Sequence, residues 1–260
     1  MIVGIIPARF ASTRLMGKPL AEIGDKPLIQ HTYESASQSR LLKKIIIAVD
    51  DKKVAQVCRD FGAEVINTPK NISTGSDRIA HVAKKLSDAE IIVNIQGDEP
   101  FISGQMIDEA IEPLLFDNEV NISTLAKRIE SAAELQSPDV VKVVIDYNNN
   151  ALYFSRSPIP FVRDVISAEV ALEKNEIYKH IGLYVYRKES LLKFTKLKPT
   201  DLERAEKLEQ LRMLENGMKI KIVVTEFDTM SVDTPEDLNR ARTYYSWLQR
   251  RKSNEDTEQD

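Results

Sequence analysis

Arg9, Arg14 and Lys18 fall within ten residues of one another, directly after the apolar run 3–6. Two guanidinium forks and one ammonium gathered there suit a polyanion, because Arg grips paired oxygens and Lys acts as a compact point charge. The loop after the first strand of an α/β unit is also where open parallel sheets bind phosphates, beyond the strands' carboxyl ends. This loop carries neither the Walker A spacing nor GxGxxG, so side chains more than backbone amides would hold the phosphates. The other reading is a solvated basic loop. Pro7, Gly17 and Pro19 argue for a loop with a defined shape, since they restrict or permit particular backbone angles.

Two carboxylates are candidates for a metal. Gln96-Gly97-Asp98-Glu99-Pro100 closes a β-rich run, which puts Asp98 at a carboxyl end of the sheet beside the basic loop. Mg²⁺ prefers oxygen ligands and is usually held by one or two carboxylates plus substrate phosphates. Asp233 is the second candidate, because Thr234 with Pro235 at N1 can cap the following helix and spare Asp233 that task. Capping, or pairing with a nearby Arg, remains the alternative use for either carboxylate.

Further along, Ser73-Thr74-Gly75-Ser76-Asp77-Arg78 is a small-residue loop entering a helix. It allows close approach to a base or ribose, and it is equally an ordinary capping sequence. Arg156, and His180 with Tyr184 four residues on, suit an acidic substrate, although a lone His beside a strand commonly serves structure. Glu209 and Gln210 lie in a helical stretch, where Glu209 could instead pair with Arg212.

The elements that must position these residues follow from the hydrophobic pattern. Strands at 3–6, 44–49, 64–66 and 90–95 alternate with helices at 27–39, 52–61, 77–86 and 103–115. That alternation predicts right-handed crossovers and a doubly wound, mostly parallel α/β sheet. Strands near 121–125, 140–145, 151–154 and 181–186 follow, with a turn at 147–150. Residues 156–178 read as an excursion that covers a site or pairs with a second subunit. A helix is expected over 200–216, ending at Gly217. The organisation expected is one domain over residues 1–249 and a charged, frayed tail over 250–260.

The 260 residues are 42% hydrophobic, enough for a sizeable core. Net charge is −4, and four acids in the last eight residues leave the rest neutral, so nothing points to nucleic acid or a membrane surface. Cys58, the only cysteine, excludes an intramolecular disulfide and a cysteine-rich zinc site. With no apolar run near membrane-spanning length and a strand-like start in place of a signal peptide, the expectation is a cytoplasmic protein.

Taken together, PARFASTRLMGKPL, IQGDEP, ALYFSRSPIPF, KHIGLYVYR, KLEQLRMLENG and SVDTPEDL resemble the 3-deoxy-manno-octulosonate (Kdo) cytidylyltransferases, or CMP-Kdo synthetases. The ordered match covers residues 2 to about 245. It implies the nucleotide-diphospho-sugar transferase type of fold, a smaller sugar-binding and dimerisation excursion, a homodimer, Mg²⁺, and attack of Kdo's anomeric hydroxyl on the α-phosphorus of CTP. By the same resemblance Arg9, Arg14 and Lys18 hold the triphosphate, with Thr74, Gly75, Ser76 and Arg78 in the nucleotide loop. Asp98 and Asp233 hold the metal, and Gln96, Arg156, His180, Tyr184, Glu209 and Gln210 bind Kdo. Arg9, Lys18, Asp98 and Asp233 are the catalytic set.

Two departures stand out: Met16 replaces the family's Pro, and the family's His-x-Ser-Gly-Thr-Asp-Arg becomes Ile72-Ser73-Thr74-Gly75-Ser76-Asp77-Arg78, without the imidazole. Transfer to a related acidic sugar, such as an 8-amino Kdo analogue or a sialic acid, is the nearest alternative. A non-catalytic nucleotide-sugar sensor is the alternative from another class. A glycosyltransferase does not account for the three cations at the first strand.

Overall fold

The computed structural model describes residues 1–11 and 15–257, with backbone alone over 252–257. In chain order the first half runs β1 (Ile2–Ala8), the small hairpin β2 (Glu22–Ile23) and β3 (Lys26–Pro27), α1 (Leu28–Ala36), β4 (Lys44–Val49), α2 (Lys52–Asp60), β5 (Glu64–Asn67), α3 (Gly75–Ala83), β6 (Ile91–Asn94) and α4 (Gly104–Phe116). The second half runs β7 (Ile122–Arg128), α5 (Ala132–Gln136), β8 (Lys142–Ile145), β9 (Ala151–Ser155), α6 (Ala168–Lys174), β10 (Tyr178–Arg187), α7 (Lys188–Phe194), α8 (Asp201–Glu206), α9 (Glu209–Glu215), β11 (Lys221–Val224) and α10 (Pro235–Thr257).

The main path of the large sheet is β11-β7-β10-β6-β1-β4-β5. β1 pairs in parallel with β4 and β6, and β4 with β5, as the alternation of strands and helices requires. β10 enters antiparallel between β6 and β7, and the β8–β9 hairpin extends from it. Both faces of β1 are covered. Val3 and Ile5 join Ile46, Ile79 and Ile92 on one side, while Ile6 joins Ile47, Val93 and Ile107 on the other. That two-sided burial is why the strand reads as an unbroken apolar run.

Three features depart from expectation. The stretch 200–216 is two helices, because Lys207 adopts a left-handed conformation (φ 57°) as the cap of α8. The break turns Gln210, Leu211, Arg212 and Met213 of α9 inward, while Leu202 of α8 stays exposed. β11 was not anticipated; it pairs in parallel with β7 and completes that edge. α10 continues to Thr257 through the stretch expected to fray, where no Gly or Pro interrupts it. Residues 258–260 of the expected tail lie outside the described residues.

Candidate active site

β1 ends at Ala8 and delivers Arg9 to the carboxyl edge of the sheet, where Arg9 Nη1 donates to the Ser73 carbonyl at 2.6 Å. The loop beyond it is anchored from below. The Phe10 N–H donates to Asp50 Oδ1 at 3.1 Å, and the Gly17 N–H donates to the Phe10 carbonyl at 3.1 Å. Gly17 is left-handed (φ 68°), a conformation glycine adopts without cost, and it opens the short helical turn 18–20 that presents Lys18. Arg14 lies outside the described residues.

Lys18 Nζ donates to Asp98 Oδ2 at 2.6 Å and to Asp233 Oδ1 at 2.9 Å. Burial works against the ammonium, yet the two carboxylates outweigh it and raise the Lys18 pKa. A main-chain bond from the Val232 N–H to the Asp98 carbonyl, 2.9 Å, brings Asp233 alongside. Thr234 caps α10 as anticipated: its Oγ1 accepts from the Asp237 N–H at 3.2 Å, and Asp237 Oδ2 accepts from the Thr234 and Asp233 N–H groups at 3.0 and 3.1 Å.

Arg9, Lys18, Gly75, Gln96, Asp98 and Asp233 line one cavity of about 420 Å³. Gly97 makes its floor possible, since a Cβ there would lie 2.6 Å from the Pro7 carbonyl oxygen. Two carboxylates already sharing one cation form an all-oxygen pair, and such a pair fits Mg²⁺, whose other ligands are ordinarily phosphates and water. Beside them Glu99 is buried and accepts a hydrogen bond from the Thr229 hydroxyl. Burial pushes the Glu99 carboxyl up to about 7, and Asp98 and Asp233 add to the rise.

The 72–78 loop divides its tasks. Thr74 caps α3 by accepting from the Asp77 N–H at 3.1 Å, and Ser76 Oγ donates to Glu209 Oε2 at 2.7 Å. Only Gly75 of this loop lines the cavity. Arg78, expected at the nucleotide, supports the loop from within in this structure. It is fully buried, with Nη2 3.0 Å from Asp50 Oδ2 and Nη1 bonded to Thr68 Oγ1. Asp50 therefore braces the Arg9 loop and α3 with its two oxygens.

Of the residues expected at the sugar, His180 and Tyr184 lie on β10, Glu209 and Gln210 on α9, Gln96 just beyond β6 and Arg156 just beyond β9. Gln96 Nε2 donates to the Gly182 carbonyl at 3.3 Å, at the irregularity in β10 between Ile181 and Tyr184. The His180 ring lies between those of Phe154 (5.0 Å between centroids) and Tyr184 (5.3 Å), with Nε2 3.0 Å from Thr124 Oγ1. Burial pushes the His180 pKa down to about 3, so the imidazole is neutral near pH 7. The Tyr184 hydroxyl is buried, with the Thr124 hydroxyl as its polar neighbour and no well-aligned hydrogen bond among the described residues. Burial raises the Glu209 carboxyl, with the Ser76 hydroxyl opposing. Glu209 bonds Ser76, whereas Arg212 pairs with Glu203 at 3.1 Å. Gln210 is buried beside Glu209. Arg156 Nε donates to the Glu206 carbonyl at 2.8 Å and Nη1 to the Pro138 carbonyl at 2.9 Å.

Sequence reasoning missed Asp50, Glu99, Lys142 and Glu206. The signals were present for two of them: Asp50 ends the run Ile45-Ile46-Ile47-Ala48-Val49, and Lys142 interrupts Val140-Val141-Lys142-Val143-Val144.

A family model described as cytidylyltransferase matches residues 3–220. A 3-deoxy-manno-octulosonate cytidylyltransferase of Geobacter sulfurreducens is 51% identical over 243 residues, 92% of this chain and 97% of that protein. The enzyme of the same name from Chloroherpeton thalassium is 46% identical, over 92% of this chain and 95% of that protein. Among solved structures, a CMP:2-keto-3-deoxy-manno-octonic acid synthetase complexed with CTP superposes with a TM-score of 0.88 at 39% identity, covering 95% of this chain and 99% of the other.

Proposed function

The chain belongs to the cytidylyltransferase family, and on that premise we propose that it joins CTP to Kdo, forming CMP-Kdo for lipopolysaccharide synthesis and releasing pyrophosphate. The observation that carries this reading is the convergence of Arg9, Lys18, Asp98 and Asp233 on one cavity at the carboxyl edge of the sheet. Residues 1–249 act as a single cytidylyltransferase domain.

Phosphoryl-type transfer leaves little covalent work for a protein, so positioning and electrostatics dominate. Arg9, Arg14 and Lys18 take the triphosphate and neutralise the charge that builds on the α-phosphoryl group and the departing pyrophosphate. Gly75 lets the main chain approach the nucleotide closely, with Thr74 and Ser76 shaping the loop around it. Asp98 and Asp233 would hold Mg²⁺, which would supply Lewis-acid polarisation of the α-phosphate and ease ionisation of the anomeric hydroxyl. Gln96, His180, Tyr184, Glu209 and Gln210 bind the sugar. Neutral His180 and the Tyr184 hydroxyl offer hydrogen bonds to sugar hydroxyls, and Arg156 takes the carboxylate.

The protein works as a homodimer in the cytoplasm, where CTP is made. Phe161 and Ile166, 89% and 95% exposed in the excursion between β9 and β10, suit a contact with a second copy. No helix among the described residues is long and apolar enough to cross a membrane.

Pyrophosphate release by purified protein tests the reading. Release that requires CTP, Mg²⁺ and Kdo together is the expected result. Silence with Kdo and turnover with an amino-sugar analogue would replace the acceptor, and CTP binding without turnover on any keto-acid sugar would overturn the reaction.

A further inference from the structure

Lys142 is completely buried within β8, in the Val-rich run that forms the hairpin with β9. Burying an ammonium is strongly unfavourable unless all three of its donors are satisfied. A Met or Leu would fill the same space without that cost. Here the three protons go to main-chain carbonyls: Ser137 at 2.8 Å, Val140 at 2.7 Å and Arg156 at 2.6 Å. The ammonium hydrogen-bonds no carboxylate.

Two of those carbonyls belong to the turn 137–140, and the third belongs to Arg156. Arg156 reaches back to the same turn through Nη1 on the Pro138 carbonyl. Glu206 holds the other side: its Oε2 accepts from the Arg156 N–H at 3.0 Å, its Oε1 accepts from Ser155 Oγ at 2.7 Å, and its carbonyl accepts from Arg156 Nε at 2.8 Å. Arg156 is thus tied through its N–H, carbonyl, Nε and Nη1, which leaves Nη2 as its one nitrogen without a protein partner among the described residues. The three charged side chains sum to one positive charge, which a monocarboxylate neutralises. Glu206 ends α8 three residues before Glu209, so the same connection carries two further sugar candidates.

We propose that Lys142 is a positioning residue for Arg156: it gathers three carbonyls that would otherwise repel one another and so fixes the guanidinium, with Nη2 left for the carboxylate of the acidic sugar. The inference rests on the reading above, in which Arg156 binds that carboxylate. Holding the group in place beforehand spares the complex the cost of ordering a long side chain on binding.

The test compares Lys142→Met, Arg156→Ala and the double variant by KM for Kdo and by calorimetric Kd for CTP. Lys142→Met should raise KM for Kdo by about tenfold or more, as small misplacements of a binding group do, and leave CTP affinity within about twofold. Added to Arg156→Ala it should change KM no further, because both losses pass through one group. Equal effects on Kdo and CTP, or fully additive losses, would show a merely structural lysine and overturn the inference. If Arg156→Ala raises KM for Kdo and Lys142→Met does not, the inference falls alone. If Arg156→Ala leaves it unchanged, the carboxylate reading of Arg156 falls, and the inference with it. Should Lys142→Met fail to fold, Glu206→Gln, on the partly exposed side of the clamp, must show the same split between sugar and nucleotide; an unchanged KM for Kdo there overturns the proposal.

Discussion

Lys18 Nζ bridges Asp98 Oδ2 and Asp233 Oδ1 at 2.6 and 2.9 Å, so one ammonium joins carboxylates drawn from distant parts of the chain. The proposed metal ligands are therefore already half neutralised by a residue proposed to serve the phosphates. Metal and lysine compete for the same oxygens, and triphosphate gives the lysine somewhere else to go.

Lys18→Met should consequently lose turnover while binding Mn²⁺ more tightly in the absence of nucleotide. The gain should be about tenfold, the scale of one charge-assisted hydrogen bond. Calorimetry on nucleotide-free protein measures it, and unchanged Mn²⁺ affinity would show that the lysine does not guard the site.

Asp98→Asn removes a metal-holding charge and almost no volume. We expect kcat to fall by about a hundredfold or more, the scale seen when a group that stabilises developing charge is lost. The melting temperature should stay within a few degrees of wild type, and near-normal kcat would refute the metal assignment.

Asp50→Ala strips the partner from a fully buried arginine, since Arg78 has no exposed side-chain surface and Asp50 only 9%. An uncompensated buried charge costs about 3–5 kcal/mol, which denaturant unfolding would read directly. The Phe10 anchor goes with it, so the KM for CTP should rise in whatever protein remains folded.

Gly97→Ala would set a Cβ 2.6 Å from the Pro7 carbonyl oxygen, and neither main-chain segment can yield without moving the end of β6. A destabilisation of about 1–3 kcal/mol is expected, with a drop in kcat because Asp98 is the next residue. Wild-type stability and activity would show that the two strands have slack.

His180 supplies a pH dependence. Its pKa is held down to about 3 by burial, while the unfolded chain takes up that proton near pH 6.5. Above pH 6.5 both states are neutral and the residue contributes no slope. As pH falls from 6.5 toward 3 the unfolded state binds more protons, and stability declines by at most about 1.4 kcal/mol per pH unit. His180→Gln should flatten that part of the profile in thermal unfolding. An identical profile in the variant would show that His180 titrates normally in the folded protein.

Much of this protein was legible in its sequence. Alternation of apolar runs with helical periods set the parallel half of the sheet, because each pattern can bury its apolar face in only one kind of element. That Arg9, Lys18 and Asp98 would share one cavity was readable because strand ends in such sheets share one edge, and Thr234 was readable as the cap of the last helix. Tertiary structure alone decided the rest. Nothing in the nucleotide-loop pattern of 72–78 showed that Asp50 and Thr68 would enclose Arg78. The helical pattern of 200–216 gave no sign that Lys207 would break it and turn Gln210 inward. Lys142 and Arg156 are separated by a whole hairpin, and only its closure brings the ammonium within 2.6 Å of the Arg156 carbonyl. Periodicity encodes which face is buried; which charges meet once those faces close depends on packing between elements far apart in the chain, and no local pattern carries that information.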